Sequence, residues 1–282
     1  PKGNKPFVTI HIDHYGPLEK TSTGKRYIFE IIDCFTKFVK LYAVKSTKTC
    51  EVINQLENYF RHYSVPLRIV SDRGSCFTSN EFEKFVQEHM IQHIKVATGS
   101  PKSNGQIERI NRDLTPMLSK LAILTNKWEK ALGTVEFAIN NSFCRSTGNS
   151  PSVLLFGISQ NDPSDPLRNS LGAEAEKEDD LAEVREKAQS QNEKLQAYNK
   201  RMYDQKHRPP KPYNVGDYVM IKNIDVTPGI NKKLLPRYRG PYEIKKSLGN
   251  DRYWITDVEG FQVTQIPFEG VCCPENMKLW LQ

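Results

Sequence analysis

Residues 6–17 read Pro6-Phe7-Val8-Thr9-Ile10-His11-Ile12-Asp13-His14-Tyr15-Gly16-Pro17. Val8, Ile10 and Ile12 alternate with Thr9, His11 and Asp13, a period of two that predicts a strand with one buried face. Asp13 falls at its end, on the face opposite the apolar residues. Working outward, 26–33 and 38–44 read as two more strands joined by a short turn around Phe35-Thr36-Lys37. Residues 47–62 follow a helical period, with Val52, Leu56, Tyr59 and Phe60 on one side. A short apolar strand at 67–71 begins after Pro66. Ser79 or Asn80 can cap a helix over 81–88 with Phe82, Phe85 and Val86 inward, and 91–97 returns as a strand. Three strands in a row followed by α-β-α-β predict an α/β fold, a mixed sheet with helices on its faces.

Further along, Ser103 and Gln106 have the spacing of a capping box, so a long helix should start at Ser103. Pro116 lies inside that pattern and is expected to kink or interrupt it. A helix over 126–141 places Trp128, Leu132, Val135 and Ile139 on one stripe. Residues 159–172, with Asp162-Pro163-Ser164-Asp165-Pro166, read as a linker. In 174–206, Leu181, Val184, Ala188, Leu195, Tyr198 and Met202 recur at a spacing of three or four. That stripe fits either a helix packed on its own neighbour or a self-association seam. After Pro209-Pro210, β-rich runs at 218–222, 242–246, 253–257 and 261–266 alternate with turn residues and predict a small twisted β-barrel. The expected domains are therefore 1–158, a linker and long helix over 159–208, and a barrel module over 209–282.

Of 282 residues, 38% are hydrophobic and 26% charged, which excludes a wholly disordered chain. No apolar run approaches the ~20 residues of a membrane span, so no membrane partner is expected. The start shows no apolar segment of a signal peptide, and Pro1 in place of Met hints at a processed product or an excised fragment. Net charge is +7, and residues 1–158 hold 21 Lys and Arg against 14 Asp and Glu. Such an excess fits a polyanionic partner such as nucleic acid. The six cysteines include no Cys-x-x-Cys, which points to a reducing intracellular compartment. His89 and His93 are four apart but straddle a predicted helix end, so they are not read as a zinc pair.

Three carboxylates stand out by position. Asp13 ends the first strand, Asp72 directly follows the strand at 67–71, and Glu108 lies in the first two turns of the helix that starts at Ser103. Strand ends and a helix can meet at one sheet edge, where clustered acids repel unless cations neutralise them. Hard oxygen donors suit Mg²⁺ or Mn²⁺. Each acid also has a plainer reading: Asp13 can start a turn, Asp72 can form an Asx turn, and Glu108 can pair with Arg112.

The flanking residues give the acids a context. Residues 6–17, Val70-Ser71-Asp72-Arg73-Gly74-Ser75-Cys76-Phe77 and Ser100-Pro101-Lys102-Ser103-Asn104-Gly105-Gln106-Ile107-Glu108-Arg109 occur together and in this order. They resemble the catalytic core of retroviral and gypsy-type LTR-retrotransposon integrases, with the family's interval between Asp72 and Glu108. Trp128, Asn140-Asn141 and Ser150-Pro151…Phe156-Gly157 resemble the end of that core. Val215-Gly216-Asp217-Tyr218-Val219 and Arg239-Gly240-Pro241-Tyr242-Glu243-Ile244 resemble its C-terminal Gly-Pro-Tyr module.

The resemblance implies an RNase H-like mixed sheet flanked by helices, then a linker helix and a small SH3-like β-barrel. It implies a polynucleotidyl transferase with endonuclease activity, processing the 3′ ends of element DNA and transferring them into target DNA. Asp13, Asp72 and Glu108 would hold two Mg²⁺ (or Mn²⁺) ions. Pro101, Lys102, Ser103, Asn104 and Gln106 would lie by the element's DNA end. Arg109 and Arg112 would hold phosphate further along or form structural ion pairs. Lys102 stands where the family often has glutamine, which favours a phosphate contact over base stacking. In residues 211–246, eight basic side chains face three acidic ones. Lys232, Lys233, Arg237 and Arg239 are the candidate DNA contacts there, whereas Tyr218 and Tyr242 are expected in the barrel core.

The family's N-terminal zinc domain has no counterpart in these 282 residues. Nor is there room after Tyr242 for the chromodomain that some gypsy-type integrases append. The expected partners are double-stranded DNA and further copies of the chain in a dimer or tetramer; no host tethering factor is legible in the sequence. The expected location is the nucleus, after a cytoplasmic particle stage. The rival reading is a domesticated, integrase-derived DNA-binding or regulatory protein without turnover.

Overall fold

The computed structural model describes residues 3–96, 105–121, 125–160, 180–206, 213–223, 236–249, 252–263 and 267–280. These fall in two compact units, one drawn from 1–95 and 104–202, the other from 96–103 and 203–282.

The first unit holds five strands: β1 (Thr9–Tyr15), β2 (Tyr27–Asp33), β3 (Val39–Val44), β4 (Arg68–Ser71) and β5 (Gln92–Lys95). Their order is β3-β2-β1-β4-β5. The first three form an antiparallel meander, and β4 and β5 run parallel to β1. The expected mixed sheet is thus observed. On one face Ile10, Ile12, Phe29 and Ile31 pack beneath α1 (Thr49–His62) and α2 (Asn80–Glu88). On the other, Ile28 and Ile32 pack beneath α3 (Gly105–Leu121) and α4 (Trp128–Asn141). Helix α1 starts at Thr49, two residues later than its periodicity suggested. Ser79 caps α2 by accepting from the Phe82 N–H at 3.2 Å.

Two features of the helices depart from expectation. Helix α3 runs through Pro116 without interruption, and Ile110, Leu114 and Leu118 lie buried along it on both sides of the proline. Their burial offsets the ~3 kcal/mol cost of an interior proline. A short helix α5 (Pro151–Phe156) follows α4, capped by Ser150, started by Pro151 and ended by Gly157 at φ 85°. Helix α6 (Leu181–Lys206) packs on it: Val184 and Ala188 bury against Leu154, and Arg185 donates to the Leu154 and Leu155 carbonyls at 2.9 Å each.

Helix α4 also covers the open edge of the sheet. Asn140 accepts from the Val39 N–H and donates to the Val39 carbonyl, both at 2.8 Å. One turn earlier, Glu136 accepts from the Leu41 N–H at 2.8 Å and from the Lys40 ammonium at 2.7 Å. Four helical residues rise ~6 Å and two strand residues ~6.7 Å, so side chains at i and i+4 meet alternate strand residues. The helix thereby completes the hydrogen bonding of an edge strand.

The second unit is an antiparallel sheet in the order β10-β6-β7-β8-β9. Its strands are β6 (Tyr218–Lys222), β7 (Tyr238–Gly249), β8 (Arg252–Asp257), β9 (Glu269–Cys272) and β10 (Met277–Leu279). The core comprises Tyr213, Val219, Ile221, Tyr242, Ile244, Tyr253, Ile255 and Met277. Tyr242 is buried as expected, but Tyr218 is exposed because its neighbour Val219 takes the inward face. The run expected at 261–266 gives no strand among its described residues, only a bridge between Val258 and Phe261. Strands β9 and β10 were not legible in advance.

Candidate active site

The parallel register of β1 with β4 pairs Thr9 with Arg68, Ile10 with Ile69 and His11 with Val70. Asp13 lies two residues further along β1, and Asp72 directly follows the last residue of β4. Asp13 accepts from the His14 N–H at 2.7 Å, and Asp72 accepts from the Gly74 N–H at 2.9 Å. Both charges reach the same thiol. The Cys76 pKa is pushed up to about 11, by burial first, then by Asp72 and, more weakly, Asp13. His14 stacks on Phe77, with ring centroids 5.5 Å apart, and burial lowers its pKa to about 4 against the pull of Asp72 and Glu51. The ring beside the acids is therefore neutral at physiological pH.

Helix α3 lies along β1 in the same direction, tied to it at three levels. At the first, the Gln106 amide donates to the Cys34 sulfur at 3.3 Å, and His11 hydrogen-bonds the same sulfur. At the second, Asp13 pairs with Glu30 across β1 and β2, and Asn111 donates through its amide nitrogen to the Glu30 oxygens at 2.8 and 3.0 Å. At the third, the Tyr15 and Thr115 hydroxyls hydrogen-bond at 2.6 Å. Residues 11, 13 and 15 share one strand face, and 106, 111 and 115 advance along the helix at nearly the same pace. Position 108, three residues before Asn111, therefore belongs to the helical turn abreast of Asp13.

The remaining candidates are distributed unevenly. The side chain of Glu108 and residues Pro101, Lys102, Ser103 and Asn104 lie outside the described residues, as do Lys232 and Lys233. So does the Ser103 half of the expected capping box. The Gln106 amide is turned inward, donating to Cys34 and accepting from the Lys37 ammonium at 3.2 Å. Arg109 and Arg112 are exposed on α3. In the second unit Arg237 is exposed, while Arg239 sits 5.1 Å over the Phe268 ring.

Two participants escaped the sequence reading. Glu30 is fully buried, and burial first and the Asp13 charge second raise its pKa well above the usual carboxylate range. The signal was available as a single acid inside the apolar run Tyr27-Ile28-Phe29-Glu30-Ile31-Ile32. Cys34 is the other. Burial alone would raise its pKa, but hydrogen bonds from His11, Gly3 and Gln106 and the Lys37 charge bring it down to about 6. Among the described residues, no three His, Cys, Asp or Glu side chains group closely enough to hold a metal ion. The two aspartates nonetheless supply the hard oxygen donors that Mg²⁺ or Mn²⁺ prefers.

Residues 3–101, which carry both aspartates, match the integrase core domain family. The chain is 35% identical over 183 residues to the Pro-Pol polyprotein of simian foamy virus type 3, covering 64% of this chain and 16% of that one. It is 33% identical over 189 residues to the feline foamy virus Pro-Pol polyprotein, covering 66% and 16%. The Gag-Pol polyprotein of baboon endogenous virus is 26% identical over 246 residues, covering 86% and 14%. The matched stretches thus span only 14–16% of these relatives. In structure, the whole chain superposes on 81% of a chain of the simian T-cell lymphotropic virus intasome in complex with PP2A regulatory subunit B56 gamma. The TM-score is 0.58 and the identity 16%, a likeness of fold. The strands that carry Asp13 and lead to Asp72 thus lie within the stretch that matches the integrase core domain family, and the chain as a whole has a fold like that of the intasome chain.

Proposed function

We propose that this protein is a retroelement integrase of the gypsy type that processes the 3′ ends of element DNA and joins them to target DNA. The observation that carries the reading is the parallel pairing of β1, which holds Asp13, with β4, which Asp72 follows, the two carboxylates acting on the same Cys76 thiol and α3 lying alongside. Asp13, Asp72 and Glu108 would hold two divalent cations, Mg²⁺ or Mn²⁺, whose Lewis acidity would stabilise charge on the attacking and leaving oxygens of an in-line displacement at phosphorus. The protein's own residues position and neutralise. Asp72 is fixed by the Gly74 N–H and Asp13 by the His14 N–H. The neutral His14 ring, stacked on Phe77, closes the apolar side of the pair without adding a cation that would compete for the carboxylates.

Double-stranded DNA is the proposed substrate. Pro101, Lys102, Ser103 and Asn104 would lie by the element end, and the exposed Arg109 and Arg112 would meet phosphate along α3. Lys232, Lys233 and Arg237 of the β module would meet DNA backbone without reading sequence. The β module and a homo-oligomer of two or four copies would bring two ends together, in the nucleus.

A strand-joining assay with short duplexes and Mn²⁺ tests the reading. Wild type should join DNA ends, and Glu108→Gln should abolish joining while leaving salt-sensitive DNA binding within about twofold. Wild type that binds DNA yet neither cuts nor joins it with Mg²⁺ or Mn²⁺ would refute the proposal in favour of a non-catalytic, integrase-derived binding protein.

A further inference from the structure

We propose that Glu30 and Asn111 form a positioning pair for the proposed metal site, a buried clasp between β2 and α3 that fixes which face of the helix lies beside Asp13. The inference rests on the function proposed above and adds two residues to it.

Glu30 is 0% exposed and lies directly across the β1–β2 ladder from Asp13. Its neighbours on that sheet face are Ile28 and Ile32, both buried in the cluster that also contains Ile107, Ile110 and Leu114 of α3. An apolar residue at position 30 would simply continue this stripe. A carboxyl group there is costly to bury unless it is held by hydrogen bonds. Asn111 supplies them at 2.8 and 3.0 Å, one to each oxygen.

A directional hydrogen bond from one nitrogen to both carboxylate oxygens does what apolar packing does poorly. The contacts of Ile107, Ile110 and Leu114 are non-directional and tolerate a small roll of the helix about its axis. Side-chain atoms lie roughly 6 Å from that axis, so a roll of about 20° moves them about 2 Å, as much as a whole metal–oxygen bond. The other ties of α3 lie one to two turns away from Asn111: Gln106 bonds Cys34 and Lys37, and Thr115 bonds Tyr15. The clasp stands at the level of Asp13 itself, and position 108 is three residues from its helical anchor. Glu30 therefore acts through Asn111 on the setting of α3, without touching substrate.

The experiment titrates Mn²⁺ into the full chain by electron paramagnetic resonance and follows thermal melting of the same variants. Glu30→Leu, matched in volume to the apolar stripe, should melt at or above the wild-type temperature yet bind Mn²⁺ 10- to 100-fold more weakly. Glu30→Gln keeps an acceptor for Asn111 and should stay within about threefold of wild type. Asn111→Leu should weaken binding as Glu30→Leu does, and the double variant should be no worse than either single one. If Glu30→Leu does not fold, Asn111→Leu and Glu30→Gln decide the matter by the same criteria. Unchanged Mn²⁺ affinity in the Leu variants would overturn the clasp alone. So would equal losses in Glu30→Gln and Glu30→Leu, because charge rather than geometry would then be at work. Wild type that takes up no Mn²⁺ would overturn both this role and the proposed function.

Discussion

Asn140→Ala should destabilise the first unit by about 2–4 kcal/mol, although the residue is itself no candidate ligand. Its side chain accepts from the Val39 N–H and donates to the Val39 carbonyl, both at 2.8 Å. Val39 is 0% exposed, so water does not readily replace either partner. Leaving a buried backbone donor or acceptor unpaired costs about 1–3 kcal/mol each. Two such groups, relaxed somewhat by the space an alanine opens, give the expected range. Glu136→Ala orphans only the Leu41 N–H and should cost about half as much. Asn140→Asp is the sharper variant, since it keeps the acceptor for Val39 N–H but sets an oxygen against the Val39 carbonyl. Its deficit should be large at neutral pH and shrink in acid, where a protonated carboxyl can donate. Urea unfolding read by Trp128 fluorescence reports on the right unit, because Trp128 is buried at the start of α4 while Trp254 and Trp280 are partly exposed in the other unit. A loss below about 1 kcal/mol for Asn140→Ala, or an Asp variant as stable as wild type at pH 7, would refute the edge-covering argument.

Two further outcomes follow from the surroundings of the site. A Cβ at Gly74 would stand 3.0 Å from the Asp72 carboxylate oxygen and 3.4 Å from the Phe77 ring. Gly74→Ala should therefore push the carboxylate aside and weaken Mn²⁺ binding about tenfold, with stability changed by less than about 1 kcal/mol; titration and urea melts of one preparation separate the two. Cys34 should ionise with a midpoint of about 6, visible as thiolate ultraviolet absorbance lost in Cys34→Ala and shifted upward in Lys37→Met. Because the folded pKa lies below the ordinary 9.0, the thiolate's contribution is full above pH 9 and is lost as pH falls through 6. The stability gap between wild type and Cys34→Ala should accordingly widen by about 2 kcal/mol from pH 6 to pH 8, and a gap independent of pH would contradict the thiolate assignment.

The sheet was readable because its strands carry local signals. Val8, Ile10 and Ile12 alternate, and the apolar run at 67–71 is closed by Asp72, so β4 ends where expected, whereas β1 continues two residues past Asp13 to Tyr15 through its pairing with β2. The misreadings occur where packing outweighs a local preference. Pro116 was expected to kink or interrupt α3; it does not interrupt it, because Ile110, Leu114 and Leu118 are buried on both sides of it. Strands β9 and β10 are short, at four and three residues, and exist through pairing with β8 and β6 rather than through any alternation of their own. Gln106 read as half of a capping box beside the DNA end. The half-buried Lys37 and the buried Cys34, 69 and 72 residues earlier, hold its amide inward.

The site divides along the same line. Asp13 and Asp72 could be named in advance because their flanking residues resemble an integrase core; position alone left a turn reading open for each. Glu30 could not, because an isolated acid within an apolar strand marks an inward exception without naming what holds it. Its partner lies 81 residues later in the chain, on a helix whose rotation no periodicity argument fixes to better than one residue, or about 100°. A site built from strand ends inherits its geometry from backbone register, which is stiff. A third group delivered by a helix inherits it from helix rotation, which apolar packing leaves soft. Glu30 and Asn111 stand where that softness would matter most, so the acid that looked out of place in β2 belongs to the same arrangement as the two that looked catalytic.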